Sequence, residues 1–221
     1  MLRYVRVDTE DELLEALRKD GAWLLCGGTD LLVKMRSGLA RPKSLVDVSG
    51  ISELRGVDAR GGALRIGAAT PLAELAASRA VRDAAPLLAE VLRSLGSVQI
   101  RHRGTLGGNL ANASPAADGA IPLLLYEATL ELRNVDGVRT IPVSEFFLGP
   151  GRTALRRGEY IRAIHIPASN ARWTPFFHKV GRRRALTIAI VSVGGLAAAS
   201  RGRPGEVRIA AGSVAPVPLR L

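Results

Sequence analysis

Two glycine-rich stretches stand out in this chain, LLCGGTDL at residues 24–31 and RGTLGGNLANASPAAD at residues 103–118. The first follows an apolar, strand-like run at 23–26 and precedes a helix-like run at 31–36. Its glycine pair is therefore predicted to form a strand-to-helix turn, where backbone N–H groups lack partners and the helix dipole favours an anion. Because glycine has no Cβ, a phosphate group can approach such a turn closely.

The second stretch offers polar groups of the kind that bind a nucleotide. Thr105 carries a hydroxyl donor, Gly107 and Gly108 are predicted to expose backbone N–H groups, and Asn109 can bind an oxygen or shape the turn. Asp118 can accept from sugar hydroxyls, or it can cap the helical run that follows. One glycine pair marks an ordinary tight turn more often than a ligand site. The two stretches together favour a phosphorylated ligand held from two sides.

The first stretch belongs to a predicted βαβ unit. Residues 3–7 alternate like a strand, and Thr9 with Glu12 forms a capping-box pattern before a helix that Gly21 ends. A third strand is predicted at 44–48. Parallel strands joined by helices place their C-terminal turns at one edge of the sheet, where open α/β sheets bind ligands. The first glycine turn is predicted to lie at that edge.

After residue 53 the pattern changes to α+β. We predict a domain at 1–170, with subdomains at 1–53 and 54–170, followed by an incomplete C-terminal domain at 171–221. About 50 residues rarely bury enough surface to stand alone, so this last part is expected to pack on the rest or on another chain. The elements predicted after residue 53 are a hairpin of strands at 54–57 and 63–67, helices starting at 71 and spanning 86–94, an apolar run at 121–126, strands at 129–133, 138–143 and 160–166, runs at 176–180 and 186–199, and a last strand at 206–214.

Composition indicates a globular protein. The chain has 221 residues, and 47% of them are hydrophobic, which supports a proper core. The apolar run at 186–199 is interrupted by polar residues and glycines, and it is shorter than the roughly 20 residues that a membrane span needs. Acidic residues near the N-terminus, where a signal peptide has its apolar core, predict a cytoplasmic protein. The single Cys26 excludes an internal disulfide and any zinc or iron–sulfur site built from cysteines of this chain alone.

The net charge of +11 comes mainly from arginine. Basic clusters can neutralise nucleic-acid phosphates. Here they are scattered near glycine-rich turns, and the few aromatic residues, 4% of the chain, are not interleaved with them. Nucleic-acid binding is therefore the minor alternative. The composition of the source genome or an acidic partner surface explains the arginines more simply.

No catalytic or metal-binding constellation is predicted. The histidines lack HExxH or related spacing, the serines lie outside a G-x-S-x-G elbow, and neither GxGxxG nor a P-loop occurs. The helix start after Cys26 can lower a thiol pKa, although a small buried residue is the simpler interpretation. The histidines and serines concerned are His102, His165, His178, Ser97, Ser114 and Ser192.

Four segments together are more specific: CGGTDLLVKMRSG, SVQIRHRGTLGGNLANASPAADGAIPLLLYEATLEL, FFLGPGRTALRRGEYIRAIHIP and HKVGRRRALTIAIVSVGGLAAA. In this order and spacing they resemble the FAD-binding medium subunit of the xanthine dehydrogenase and carbon monoxide dehydrogenase family of molybdenum hydroxylases. The resemblance covers almost the whole chain. It implies an α+β, FAD-binding fold of the vanillyl-alcohol-oxidase or PCMH type, with an N-terminal βαβ subdomain, a larger α+β subdomain and a short C-terminal α+β subdomain of the CO dehydrogenase flavoprotein type.

The resemblance also implies where FAD binds. The first glycine stretch would wrap the diphosphate, and the second would grip the diphosphate and the ribityl chain from the other side. Asp118 would bind a nucleotide hydroxyl, Leu95 and Ile161 would line apolar walls, and Lys179 would reach the flavin. The implied residues are Leu24, Leu25, Cys26, Gly27, Gly28, Thr29, Asp30, Leu31, Leu95, Thr105, Leu106, Gly107, Gly108, Asn109, Asp118, Ile161 and Lys179.

Partners follow from the same resemblance. A large subunit would oxidise substrate at a molybdenum cofactor, a small subunit would relay electrons through 2Fe-2S clusters, and FAD would pass them to NAD, a quinone or another acceptor. A dimer of heterotrimers is expected.

The chain departs from the family pattern at His102, where asparagine is frequent, and at Cys26, where a small residue is usual. It also stops at Leu221, whereas family members continue. The alternative is therefore a shortened, non-catalytic assembly or interaction relative that binds flavin weakly or not at all. In either case apolar surface at 188–196 is expected to be exposed.

Overall fold

The computed structural model describes residues 1–61, 63–168, 173–182, 188–200 and 203–221. The N-terminal part is a small parallel sheet with two helices. In chain order its elements are β1 (Arg3–Arg6), α1 (Glu10–Leu17), β2 (Ala22–Leu25), α2 (Leu31–Arg36) and β3 (Ser44–Asp47). The strands lie in the order β1-β3-β2, and both pairings are parallel. The predicted βαβ unit is therefore confirmed, and the glycine turn after β2 lies at the C-terminal edge of the sheet.

The capping box at the start of α1 forms with one displaced bond. Thr9 Oγ1 accepts from the N–H of Glu12 at 3.2 Å, as predicted. The Glu12 carboxylate accepts from the N–H of Asp8 at 2.9 Å, one residue before the usual position. Leu13 follows on the inner face of α1 and is fully buried in a core shared with Val46 of β3.

The second part combines an antiparallel sheet with short helices. Its elements are β4 (Val57–Arg60), β5 (Ala63–Gly67), α3 (Leu72–Ala77), α4 (Arg79–Ala84), α5 (Pro86–Ser94), α6 (Val98–Arg103), α7 (Leu106–Ala111), α8 (Ala120–Leu125), β6 (Thr129–Asn134), β7 (Gly137–Pro142), β8 (Phe147–Gly149), β9 (Arg152–Thr153) and β10 (Tyr160–Ile166). The large sheet has the order β4-β5-β10-β6-β7. Apolar side chains from the helices and the sheet form the largest core of the molecule.

The C-terminal part adds a third sheet that packs on α8. Its strands, β11 (Trp173–Gly181), β12 (Ala189–Ser200), β13 (Arg203–Gly212) and β14 (Leu219–Arg220), are antiparallel neighbours in that order. A Cβ on Gly194 would lie 2.6 Å from Ile121 of α8, and a Cβ on Gly195 would lie 2.0 Å from the ring of Phe176. These two glycines of β12 therefore allow close contact on both of its faces. Leu196 joins the core of the second part, which confirms that the tail packs on the rest of the chain.

Part of the apolar surface expected at 188–196 is exposed. Ile190 has 56% of its surface exposed, and Val207 of the adjacent β13 has 57%. Leu196, in contrast, is fully buried. The beginning of the predicted run, residues 186 and 187, lies outside the described residues.

One predicted strand is misplaced. Leu54 is predicted to begin the hairpin, but it ends a 3-10 turn (Ser52–Leu54), and β4 begins only at Val57. The side chain of Leu54 is buried in the N-terminal core, and its carbonyl accepts from the N–H of Ala69 at 2.8 Å. Because these two contacts hold Leu54 against the N-terminal core, the first strand of the hairpin begins only after it.

Three short helices are absent from the sequence prediction. The hydroxyl of Ser97 caps α6 by accepting from the N–H of Ile100 at 3.1 Å. The hydroxyl of Thr105 caps α7 in the same way, accepting from the N–H of Gly108 at 3.1 Å. The hydroxyl of Ser78 caps α4 by accepting from the N–H of Val81. This helix lies between α3 and α5, which correspond to the two predicted helices. Side-chain caps stabilise the first turn of a helix even where glycines disfavour it.

An ionic cluster joins α1 to the large sheet. Glu10, the first residue of α1, has only 7% of its surface exposed. Its carboxylate pairs with Arg133 of β6 and accepts from Arg162 Nε at 2.8 Å and from the Tyr160 hydroxyl at 3.2 Å, both on β10. Arg162 also donates to Glu131 of β6 at 2.7 Å. The cluster fixes the N-terminal part to the second part.

We expect Glu10→Ala to lower the free energy of unfolding by about 2–4 kcal/mol, because it leaves Arg133 and Arg162 without their shared carboxylate. Asp11→Asn is the matched control, since the neighbouring Asp11 side chain is 93% exposed and its loss should change stability by less than about 0.5 kcal/mol. Urea unfolding followed by circular dichroism measures both variants. Equal effects of the two substitutions would contradict the role of the cluster.

Glu131 makes stability depend on pH in the acid range. Burial raises the pKa of its carboxyl, but hydrogen bonds from Arg162 and His165 outweigh burial and hold the pKa below its ordinary value of 4.5. A carboxyl with a depressed folded-state pKa stabilises the protein above its unfolded-state pKa, and this contribution is lost as the pH falls through the folded-state pKa.

We therefore expect Glu131→Gln to be roughly 1 kcal/mol less stable than the wild type at about pH 7. The difference should shrink as the pH falls below about 4, because the carboxyl becomes protonated first in the unfolded and then in the folded wild type. Urea unfolding of both proteins at a series of pH values measures the difference. A difference that stays constant down to about pH 3 would show that Glu131 does not carry this pH dependence.

Candidate functional site

A cleft of about 450 Å³ lies between the N-terminal sheet and the second part of the chain. One side is formed by the end of β2, the turn after it and the start of α2. The other side is formed by α7 with the residues just before it, and by the start of β10. Apolar side chains from both parts line it, including Leu24, Leu72, Leu95 and Ile161. The cleft therefore lies where the sequence predicts a binding edge.

The cleft brings together most of the residues that the family resemblance implies. Leu25, Leu106, Asp118 and Lys179 do not line it, and Leu106 is fully buried. The implied residues that do line it are Leu24, Cys26, Gly27, Gly28, Thr29, Asp30, Leu31, Leu95, Thr105, Gly107, Gly108, Asn109 and Ile161.

The turn after β2 carries backbone donors without partners. Gly28 has a φ of +72°, a conformation that glycine adopts without strain. Within the described residues, the N–H groups of residues 28–31 donate to no protein acceptor, whereas that of Leu32 already binds the Gly28 carbonyl at 3.1 Å. A run of adjacent free donors beside a cleft can bind an anion.

Gly27 is required for packing between the two glycine-rich stretches. A Cβ at this position would lie 2.0 Å from the carbonyl oxygen of Arg103 and 2.8 Å from the Cα of Gly104. The two stretches therefore touch, backbone against backbone. The missing Cβ at position 27 serves this contact, whereas the sequence suggests that it serves the approach of a phosphate.

The prediction that Gly107 and Gly108 expose free N–H groups is wrong. The N–H of Gly107 donates to the Ala68 carbonyl at 2.9 Å, and the N–H of Gly108 donates to the capping hydroxyl of Thr105 at 3.1 Å. The reason is that this stretch begins a helix, whose first N–H groups are satisfied by a neighbouring strand end and by the cap. Gly108 is exposed, and a Cβ there would approach only Thr105 Oγ1, at 3.0 Å, so the glycine leaves this side of the cleft open.

Asp118 and Lys179 form a buried ion pair. Lys179 Nζ lies 2.5 Å from Asp118 Oδ2, with 13% and 4% of the two side chains exposed. The pair ties β11 to the end of the second glycine stretch. In the part of the chain that the structure describes, Asp118 Oδ1 and Asn109 Oδ1 are buried and accept no hydrogen bond. Leaving such an oxygen unsatisfied costs about 1–3 kcal/mol, so a donor on a bound ligand would be stabilised by these atoms.

Sequence reasoning misses a polar bridge between the two sides of the cleft. Lys34 Nζ donates to Asn112 Oδ1 at 2.5 Å, and Asn112 Nδ2 donates to Asp30 Oδ1 at 3.1 Å. All three residues line the cleft. The i,i+4 spacing of Asp30 and Lys34 is a signal in the sequence, because it places both on one face of α2. Asn112 lies 78 positions from Lys34 and gives no such signal.

Charged residues next to β10 are missed as well. Arg157 pairs with Asp20, which precedes β2, so this exposed ion pair spans the two parts of the chain. Arg139 donates to both carboxylate oxygens of Glu159, at 2.7 and 2.8 Å. These hydrogen bonds hold the pKa of the Glu159 carboxyl below its ordinary value, although burial opposes them. Arg157 and Glu159 both line the cleft.

Cys26 lines the cleft without being activated. Burial raises the pKa of its thiol above the ordinary value, and hydrogen bonds with Thr105 and with the Gly27 backbone only partly offset this. The helix that follows therefore does not lower the pKa of this thiol below its ordinary value. The interpretation that the sequence favours, a small buried residue, is closer to the structure, in which Cys26 is partly buried.

The cleft is suited to binding. Among the described residues, no group of His, Cys, Asp or Glu side chains is placed to hold a metal ion. No helix in the described ranges is long and apolar enough to cross a membrane. The cleft combines apolar side chains with a run of unpaired backbone donors and an unpaired buried amide oxygen. These groups fit a ligand that has ring systems, phosphates and hydroxyls, as FAD has.

Comparison with known proteins also indicates FAD as the ligand. The sequence profile described as FAD binding domain in molybdopterin dehydrogenase matches residues 1–169. The xanthine dehydrogenase FAD-binding subunit of Escherichia coli O157:H7 is 35% identical over 201 residues, which are 90% of this chain and 69% of that protein. The carbon monoxide dehydrogenase medium chain of Hydrogenophaga pseudoflava is 36% identical over 208 residues, which are 94% of this chain and 72% of that protein.

A solved structure extends the comparison to the fold. It is a chain of the carbon monoxide dehydrogenase from Hydrogenophaga pseudoflava in a form that lacks the Mo-pyranopterin moiety of the molybdenum cofactor. The TM-score is 0.95 at 33% identity, over 99% of this chain and 77% of that one. The predicted α+β, FAD-binding fold and the resemblance drawn from the four sequence segments are confirmed. The chain belongs to the family of FAD-binding domains of molybdopterin dehydrogenases, which are oxidoreductase flavoproteins.

Proposed function

We propose that this chain is the FAD-carrying, electron-transferring medium subunit of a molybdenum hydroxylase complex. The observation that carries the proposal is the run of N–H groups at residues 28–31, which have no acceptor among the described residues and border a cleft with many apolar side chains. A dinucleotide needs this combination, because its diphosphate requires donors and its ring systems require apolar contacts. The family profile supports FAD as that dinucleotide.

The residues of the cleft have distinct roles in this proposal. The N–H groups of residues 28–31 would donate to the diphosphate, and Gly108 would leave room for the chain of the ligand on the opposite side. Leu95 and Ile161 would contact its apolar portions. Asn109 Oδ1, which lacks a donor within the described residues, would accept from a hydroxyl of the ribityl chain or the ribose.

Asp118 and Lys179 would act together. Lys179 occupies one carboxylate oxygen of Asp118, and the other oxygen is buried without a partner in the described ranges. That oxygen would accept from a hydroxyl of the ligand, with Lys179 holding the carboxylate in place. Because neither side chain lines the cleft, binding would bring the ligand or these side chains closer together.

The chain itself binds and orients. FAD, when bound, takes up and passes on electrons in steps of one or two. The apolar side chains of the cleft would keep water from the bound rings, and the backbone donors would fix the dinucleotide in one register. The raised pKa of Cys26 keeps its thiol neutral beside the ligand.

The partners are proposed from the relatives. The relatives from Escherichia coli O157:H7 and Hydrogenophaga pseudoflava are named an FAD-binding subunit and a medium chain. Both terms denote parts of larger assemblies. We propose an iron–sulfur small subunit with 2Fe-2S clusters and a molybdenum-binding large subunit, arranged as a dimer of heterotrimers in the cytoplasm. Electrons would pass from the clusters to FAD and then to NAD, a quinone or another acceptor.

We expect the purified chain to bind FAD stoichiometrically, and the bound flavin to be reduced by dithionite and reoxidised by an artificial acceptor. Gel filtration after reconstitution, followed by the ratio of flavin to protein absorbance, measures the binding. A colourless protein that FAD does not reconstitute would favour the alternative, a non-catalytic assembly or interaction relative with weak or no flavin binding.

We expect Gly108→Val to raise the dissociation constant of FAD by about tenfold or more, because the branched side chain occupies the open side of the cleft. Ala77→Val is the matched control, since Ala77 is an exposed helical residue outside the cleft. Flavin fluorescence measures binding, and thermal unfolding checks that both variants are folded. Unchanged FAD affinity in a folded Gly108→Val protein would contradict the placement of the ligand against α7.

A further inference from the structure

Lys34 presents to the cleft an ammonium group that forms no ion pair with a carboxylate of the described residues. The residue lies on α2, lines the cleft and is partly buried. Its Nζ atom donates to Asn112 Oδ1 at 2.5 Å, and it forms no ion pair within 4.0 Å among the described residues. An ammonium group has three donors, and Asn112 accepts from one of them. The others remain for a ligand.

Asn112 lies between this lysine and Asp30, the acidic residue at the N-cap of α2. A lysine and a carboxylate spaced i,i+4 on a helix attract each other, and Asp30 stands four positions before Lys34. The amide of Asn112 lies between them, because its oxygen accepts from Lys34 and its nitrogen donates to Asp30 Oδ1 at 3.1 Å. Asn112 therefore holds the carboxylate and leaves the cation available.

We propose that Lys34 binds the diphosphate of the cleft ligand and that Asn112 positions it. The inference rests on the proposed function, which places a dinucleotide in this cleft. The backbone donors at residues 28–31 precede Lys34 by about one helical turn, and all of these residues line the cleft. Charge-assisted hydrogen bonds from an ammonium group are stronger than those from neutral donors. Backbone N–H groups and Lys34 together make this side of the cleft suited to a dianionic group.

The test measures how one substitution changes the affinity for three ligands, FAD, ADP and riboflavin. In the full chain, Lys34→Gln removes the charge and keeps a polar side chain that is one atom shorter. Calorimetric titration should show dissociation constants for FAD and for ADP about tenfold higher than in the wild type. Riboflavin, which has the flavin ring and the ribityl chain without phosphate, should bind with unchanged affinity. Arg36→Gln is the control, because it removes the same charge from an exposed position on the same helix.

Asn112→Ala tests the positioning role. Without the amide, Lys34 is free to pair with Asp30, so ADP affinity should fall in the same direction as in Lys34→Gln. The two effects should not add in the double variant, because both act through the same ammonium group. Additive losses would show that Asn112 acts independently of Lys34.

The outcomes separate this inference from the proposed function. A wild type that binds neither FAD nor ADP would overturn the proposed function and the role of Lys34 with it. A wild type that binds both, with a folded Lys34→Gln variant of unchanged ADP affinity, would overturn the role of Lys34 alone. An equal loss of riboflavin and FAD affinity would also overturn it, since the lysine would then act on the flavin portion.

Discussion

Glu10 fixes the N-terminal part of the molecule to the rest of the chain. Two guanidinium groups and a phenol from β6 and β10 surround its carboxylate, and Tyr160, which donates to it, also lines the cleft. A buried carboxylate is stable only while its partners are in place. The two parts therefore dock in one arrangement, and the separation between the two sides of the cleft follows from that docking. Both glycine-rich stretches depend on it for their relative position.

The stretch at 103–118 is the place where the three larger sheets meet. Gly27 packs on its backbone from the N-terminal sheet, Gly107 binds the segment after β5, and Lys179 of β11 pairs with Asp118. A segment held from three directions loses little further freedom when a ligand binds, which favours affinity. The glycines of the two stretches meet requirements of chain packing even before a ligand is considered.

Sequence patterns predict the elements whose signals are local. The bounds of α2 and β10 agree with the prediction, because apolar periodicity and flanking glycine or proline are properties of a short segment. The helices α6 and α7 are not predicted, since their start depends on which hydroxyl caps the backbone. Most of the residues that the family resemblance implies do line the cleft. The resemblance does not supply the bridge from Lys34 to Asn112 or the pair of Glu10 and Arg162, which join residues 78 and 152 positions apart through tertiary packing.

The polar groups of the cleft that remain unsatisfied are not distributed evenly. On one side, within the described residues, they are donors, namely the N–H groups of residues 28–31 on the first glycine stretch and the ammonium hydrogens of Lys34 on α2 that Asn112 does not accept. On the second stretch, within the described residues, the unsatisfied buried side-chain atoms are acceptors: Asn109 Oδ1, whose residue lines the cleft, and Asp118 Oδ1, whose residue does not. A ligand that satisfies both must bring acceptors such as phosphate oxygens to the first stretch and donors such as hydroxyls to the second. This asymmetry, more than the glycines themselves, would orient the extended dinucleotide that the proposed function places in the cleft.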